Sequence, residues 1–270
     1  MGESVVRVAR DGDMAAVREV ASAFALLDDW TGTADFLDAE RAFGTLLVGE
    51  ADGRIAGFGG ALRRGGLTHL GDLFVLPAHQ SSGVGREILR RLLPADAPRV
   101  TFASSDPRAL ALYVRQGMRP VCPLVYLTGP SADGPRDGVR EAAGDVGEAS
   151  SLDARVSGGD RSEPLAWYAG VPGVSLHTTA GGYAFARTAA GSLEVGPAGG
   201  ETPHDCVEAV RAAVAAHPGA GRVRVAVPGV HPLLPLLLED GWRIGDMDTF
   251  MATDPGLVRL DRYVPHPDLG

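Results

Sequence analysis

The sequence predicts an α/β chain of the α+β type, built twice over one pattern. Three observations carry that prediction. Of 270 residues, 45% are hydrophobic and 22% charged, which is enough apolar material for one large core or two smaller ones. Short alternating apolar runs interleave with segments of helical period, in the order strand, helix, several strands, helix, strand, helix, strand. Sliding the chain by 124 residues sets LALYVRQGM (110–118) over LPLLLEDGW (234–242), so that a helix, its capping glycine and the next strand coincide.

Each element has its own signal. Val5–Ala9 alternates as a strand does. Asp11-Gly12-Asp13 leads into residues 14–27, where Met14, Val17, Val20, Ala21 and Phe24 recur at helical spacing. Residues 28–40 read as irregular and hold Asp28, Asp29, Asp35, Asp38 and Glu40 without an arginine. Thr45–Glu50 and Arg54–Leu62 are strand-like runs joined by the turn Ala51-Asp52-Gly53. His69–Leu76 is a strand closed by Pro77. Gly83–Leu93 is a helix with Val84, Ile88, Leu89 and Leu92 on one face. Arg99–Ala103 is a strand, Pro107–Gln116 a helix capped by Gly117, and Val121–Leu127 the closing strand. Gly129–Gly138, GPSADGPRDG, has the composition of a linker, which predicts domains at 1–129 and 138–270. In the second, Tyr183–Ala186, Ser192–Gly196, Arg222–Val227 and Trp242–Thr253 are strand-like, and Pro203–Ala216 and His231–Asp240 are helical.

Composition excludes several chemistries. All 25 basic residues are arginine, and there is neither lysine nor asparagine. That removes a Walker phosphate loop, a lysine Schiff base, a Ser-Lys pair and N-glycosylation. The bias toward Ala, Gly, Pro and Arg resembles that of a GC-rich bacterial genome. A net charge of −9 argues against nucleic acid as a partner. No run approaches the ~18 apolar residues of a membrane span, and the N-terminal residues do not resemble a signal peptide. The expectation is a cytoplasmic protein with no membrane partner. Cys122 and Cys206 make neither a zinc spacing nor a disulfide framework, and the seven histidines are scattered, so no metal is expected. Residues 51–130 carry 10 arginines against 5 acids, whereas 1–50 carry 4 against 10 and 131–270 carry 11 against 19. A basic stretch inside an acidic chain points to a local anionic ligand.

The segment that carries chemistry is Gln80-Ser81-Ser82-Gly83-Val84-Gly85-Arg86, a loop between a strand and a helix. Unpaired amides at a helix start, with the helix dipole, form a phosphate site. Gly83 and Gly85 let the backbone approach closely, and Arg86, Arg90 and Arg91 add positive charge. Arg54–Gly59 has the same letters but lies in a strand-like run with no helix after it, and is a decoy.

The loop fits Gln/Arg-x-x-Gly-x-Gly/Ala, the pyrophosphate signature of the GNAT superfamily of N-acetyltransferases. One strand further on, Asp106-Pro-Arg-Ala-Leu-Ala-Leu-Tyr113-Val-Arg-Gln-Gly117-Met118 resembles that superfamily's Asn-x-x-Ala-x-x-Leu-Tyr-x-x-x-Gly-Phe, with Asp106 for Asn and Met118 for Phe. The resemblance covers residues 5–128 well and 139–253 in outline. It implies a mixed, mostly antiparallel sheet flanked by helices, in tandem, with acetyl-CoA as co-substrate and a primary amine, most simply a small molecule, as acceptor. On that reading Gln80 and the amides of Ser82, Gly83, Val84, Gly85 and Arg86 hold the pyrophosphate. The backbone at Phe74 and Val75 pairs with the pantetheine arm, and Asp106 accepts hydrogen bonds from its amides. Tyr113 protonates the departing thiolate, and Asp72 is the first choice of general base, ahead of His69 or a water chain. The alternatives are a structural Asp72, a Tyr113 that only fills core, and a solvated His79. Asp28, Asp29 and Trp30 are placed at the acceptor, with an ordinary acidic loop as the alternative.

In the second half the analogue of the loop is Gly199-Gly200-Glu201-Thr202-Pro203. Gln80, Asp106 and Tyr113 fall on His204, Val230 and Leu237. Glu201 would repel a pyrophosphate and Pro203 lacks an N–H, so this copy is expected to lack a cofactor site. A non-catalytic acyl-CoA-binding or regulatory protein is the rival function, and a monomer and a homodimer both remain open.

Overall fold

The computed structural model describes residues 5–30, 32, 34–131 and 145–270. They form two compact units, 1–99 and 100–270.

The first unit is an antiparallel sheet in the order β1 (Val5–Val8), β2 (Gly44–Ala51), β3 (Arg54–Arg64) and β4 (Leu67–Val75), with α1 (Met14–Ser22), α2 (Phe36–Phe43) and α3 (Val84–Leu92) packed on it. The stretch expected to be helical to residue 27 ends at Ser22, and Ala25 takes a left-handed φ of 58°. The stretch expected to be irregular contains α2. Asp35 caps it by accepting from the Leu37 amide at 3.1 Å, and Phe36, Leu37, Ala39 and Glu40 face inward. With only eight residues, the amphipathic signal was hidden among carboxylates. β3 and β4 pair from Gly57↔Val75 to Gly60↔Asp72. The register then shifts to Ala61↔Leu70, so Gly71 is the extra residue of a bulge beside Asp72.

The second unit contains β5 (Arg99–Ala103), α4 (Pro107–Arg115), β6 (Arg119–Pro130), α5 (Val146–Val156), α6 (Ser162–Ala169), β7 (Val174–Thr178), β8 (Gly182–Ala189), β9 (Ser192–Gly200), α7 (Pro203–Ala215), β10 (Arg222–Pro228), α8 (Leu233–Glu239), β11 (Arg243–Ala252) and β12 (Tyr263–Val264). α5, α6 and β7 carry no expectation from the sequence. Strand order is β5-β11-β6-β10-β9-β8-β7, antiparallel except for β9 with β10.

This order explains why the compact units do not divide at the linker. The repeats exchange their closing strands: β11 pairs with β5 and β6 with β10, while β6 and β11 pair with each other. The pairing obeys the sequence offset. Arg243↔Thr128 mirrors Ala252↔Arg119, Val227↔Val125 mirrors Thr249↔Ala103, and the register shifts leave Val121 and Gly245 as equivalent extra residues. The hydrogen-bond register thus follows the same 124-residue offset as the sequence. Val125 and Leu127 of β6 are buried in one core with Val195, Val210, Val225 and Leu237 of the second repeat, which ties residues 100–130 to the C-terminal unit. Of the expected linker, residues 129–131 are described, and 132–138 lie outside the described residues.

β9 and β10 run parallel only from Arg222↔Ser192 to Val225↔Val195. Beyond that point β12 pairs with β9 at Ala198 and Gly199, and the carbonyl of Pro265 would lie 2.8 Å from a Cβ at Gly196. Among the described residues no helix is long and apolar enough to cross a membrane.

Candidate active site

The first unit presents β4 running into a loop that opens α3. Phe74 packs its ring 5.0 Å from Phe24 and 5.8 Å from Phe58, while Leu73, Phe74, Val75 and Leu76 are all half-buried. A short 3-10 turn, Pro77–His79, follows. The Gln80 side-chain amide then donates to the Val75 carbonyl at 3.1 Å, tying the loop back to the strand.

Two left-handed residues shape the next step, Ser81 with φ 67° and Gly83 with φ 97°. Glycine at 83 thus supplies a conformation that L side chains resist. At Gly85 the reason is space, since a Cβ would meet Val75 Cγ2 at 3.3 Å. The first helical bond runs from the Glu87 amide to the Gly83 carbonyl at 3.0 Å, so the amides of 84–86 precede the intrahelical ladder. Ser82 Oγ accepts from the Val84 amide at a long 3.4 Å. Ser82, Gly83 and Arg86 are exposed and Gly85 is half-buried. The result is an open helix start able to receive an anion.

The charge expected there is redistributed. Glu87 takes both Arg90 and Arg91 at 2.7 Å, and their guanidinium groups hold its carboxyl down to about 2. Arg91 also donates to the Val6 carbonyl. Arg86 remains as the exposed cation of the loop. The decoy Arg54–Gly59 is the interior of β3, as its context indicated.

Asp72 is buried opposite Gly60, next to the bulge. His69 is buried too, with Nδ1 3.0 Å from Arg64 Nη2 across the hairpin. His79 is half-exposed. The residue missed by sequence reasoning is Glu40, fully buried on α2. Its carboxylate lies over the backbone of Gly60 and Gly71, where a side chain on either strand would collide with it. A helical reading of 36–43 would have found it, because Glu40 falls one turn after Phe36 on the same face.

The acidic segment proves to be mostly structural. Arg18 reaches across from α1 to Asp35 at 2.7 Å and to Asp38 at 2.8 Å. Asp28 is exposed and Asp29 half-exposed. Trp30, placed at the acceptor with Asp28 and Asp29, is only 7% exposed and packs 6.0 Å from Phe36.

Asp106 and Tyr113 belong to the second unit. Asp106 caps α4, accepting from the Arg108 amide at 2.8 Å. The Arg108 guanidinium, also at 2.8 Å, holds its carboxyl below the ordinary range. Tyr113 is the buried residue of α4, and its carbonyl accepts from the Met118 amide at 3.2 Å, closing the helix around Gly117.

Residues 14–118 match the family model for the acetyltransferase (GNAT) family. No curated protein matches the chain. A solved structure from Pyrococcus horikoshii, assigned as an acetyltransferase, is similar over 99% of this chain and 96% of its own, with a TM-score of 0.77 and 18% identity. A GCN5-related N-acetyltransferase from Sphaerobacter thermophilus is similar over 92% of this chain and 95% of its own, with a TM-score of 0.54 and 16% identity. A third, from Kribbella flavida and also GCN5-related, covers 93% of this chain and 71% of its own, with a TM-score of 0.59 and 17% identity. At such identities the structures speak for the fold. Members of the GNAT family use acetyl-CoA as co-substrate and act on small-molecule or protein amines. Residues 14–118 thus carry the match to the acetyltransferase (GNAT) family, and the solved structures extend the likeness of fold to nearly the whole chain.

Proposed function

We propose that residues 1–129 transfer acetyl from acetyl-CoA to a primary amine, most simply a small cytoplasmic one, by direct attack. The observation that carries this reading is the helix start after β4, where the left-handed Gly83 and Arg86 are exposed and the amides of 84–86 precede the intrahelical ladder. A pyrophosphate suits that geometry and charge. The backbone at Phe74 and Val75 would pair with the pantetheine arm.

In the reaction the amine nitrogen bonds to the thioester carbon, the carbon–sulfur bond breaks, and one proton leaves nitrogen while one reaches sulfur. Asp72 is the group proposed to take the first proton. Tyr113 is proposed to give the second; since an alkyl thiol has a pKa of ~8.5, the acid accelerates the step without being indispensable. Asp106 would accept hydrogen bonds from the cofactor.

The second repeat supports a single cofactor site. The connection from β9 to α7 is only Glu201-Thr202. Thr202 and Asp205 close a capping box over the first amides of α7, and β12 pairs with β9 just after Val195.

The deciding experiment is thiol release over a panel of amines, together with calorimetry for acetyl-CoA. Binding with no turnover on any amine would leave acyl-CoA binding without transfer. Tyr113→Phe should lower turnover about tenfold with acetyl-CoA affinity preserved, because the ring stays and only the hydroxyl goes. Unchanged turnover across pH would return Tyr113 to the core.

Asp28 and Asp29 remain the acceptor-steering candidates. Asp35, by contrast, caps α2 and pairs with Arg18. Changing Asp28 and Asp29 to serine should raise the acceptor KM about two- to fivefold for a cationic amine, leave that for acetyl-CoA alone, and lose its effect as salt rises. An acceptor KM indifferent to both changes would make the segment ordinary surface.

A further inference from the structure

A second cavity rich in arginine lies in the C-terminal unit, apart from the loop of residues 80–86. A cavity of about 540 Å³ is lined by Arg155 of α5, by Glu201 after β9, and by Arg259 and Arg262 of the segment that follows β11, with Leu152 and Val156 as its apolar floor. Its volume is in the range that holds small molecules. Three guanidinium groups face one carboxylate there, in a chain whose net charge is −9.

The frame of this cavity is fixed by backbone bonds. The Arg259 amide donates to the Val156 carbonyl at 2.8 Å and the Gly200 amide to the Arg262 carbonyl at 3.1 Å, while Arg262 Nη1 holds the Glu201 carbonyl at 2.5 Å. The side-chain charges are held more loosely. Arg155 pairs with Glu201 at 3.1 Å, with both side chains more than half exposed, and Arg262 Nε stands 3.4 Å from Asp261. The Arg155–Glu201 pair, exposed as it is, contributes little and exchanges readily for a better anion. Arg259, exposed and on the cavity wall, has no acidic partner among the described residues.

We propose that this cavity binds a phosphate-bearing small molecule, with Arg155 and Arg259 as its principal contacts and Glu201 as a built-in competitor. Guanidinium groups pair with phosphate through two parallel hydrogen bonds. Glu201, which speaks against a pyrophosphate at the start of α7, here sets the affinity by occupying Arg155.

The test is calorimetric titration of the full chain with inorganic pyrophosphate at low salt, in the Gly83→Glu background so that the loop of the first unit does not contribute. Saturable binding at one site per chain is expected. Arg155→Ser with Arg259→Ser should weaken it at least tenfold, and Glu201→Gln should tighten it severalfold, a gain that general damage to the fold would not produce. Titration with inorganic phosphate separates recognition of one phosphoryl group from two. Absence of saturable binding in the Gly83→Glu background overturns the proposal. So does an affinity that ignores both the arginine and the Glu201 changes, with circular dichroism showing each variant folded.

Discussion

Gly83→Glu is expected to weaken acetyl-CoA binding by at least tenfold, about 1.4 kcal/mol. The new side chain would place a carboxylate at an open helix start, where the dipole and the amides of 84–86 favour an anion from outside. It would also force a non-glycine residue to φ 97°, at a cost of roughly 1–2 kcal/mol. The protein should nonetheless fold, because a Cβ at residue 83 meets no atom within 4 Å. Gly53→Glu is the matched control: it is a turn glycine with φ 75° and equally open surroundings, so it carries the same charge and similar strain and should leave acetyl-CoA affinity unchanged. Gly57, suggested by the decoy motif, is a poor control, since a Cβ there would lie 2.6 Å from the Phe74 carbonyl in the paired strand. An affinity within a factor of two of the parent for folded Gly83→Glu would move the cofactor elsewhere.

The largest effect on stability is expected from Arg161→Ala. Arg161 is fully enclosed and binds both oxygens of Asp153 at 2.8 Å, the Tyr263 hydroxyl at 2.6 Å and the carbonyls of Leu269 and Gly270 at 3.0 and 2.5 Å. Asp153 also accepts from Ser157 Oγ at 2.9 Å and from the Tyr183 hydroxyl. One ion pair thereby joins α5, the start of α6, β8, β12 and the chain after it. Removing the guanidinium strands a buried carboxylate, which typically costs about 3–5 kcal/mol. Urea unfolding should show that loss as a lower midpoint. Replacing both partners, Arg161→Met with Asp153→Leu, should recover much of it, because neither charge is then left unpaired. A loss below about 1 kcal/mol for the single change would mean that Asp153 is rescued by its remaining donors.

Much of the first repeat was legible because its signals are local. The strand before Pro77, the glycines at 83 and 85 and the apolar face of α3 lie within one short stretch, and local conformation follows from adjacent residues. The acid count in residues 28–40 was legible too, but the pairing of two of those acids was not. Arg18 lies on the previous helix, so pairing with Asp35 and Asp38 could be seen only once α1 and α2 were packed. The inward aim of Glu40 and the burial of Trp30 depend in the same way on distant backbone, namely Gly60, Gly71 and the packing of α2 on β2 and β3.

By itself the sequence determined the fold class, the 124-residue offset and the loop that opens α3, because periodicity, turn residues and repeat spacing are properties of neighbours along the chain. The tertiary structure alone decided which repeat each closing strand completes. β6 and β11 stand at the same place in their repeats, and either could satisfy the free edge of β5 or β10. Hydrogen-bonding edges do not record which strand will pair with them, and that choice is made only when the two repeats share a core.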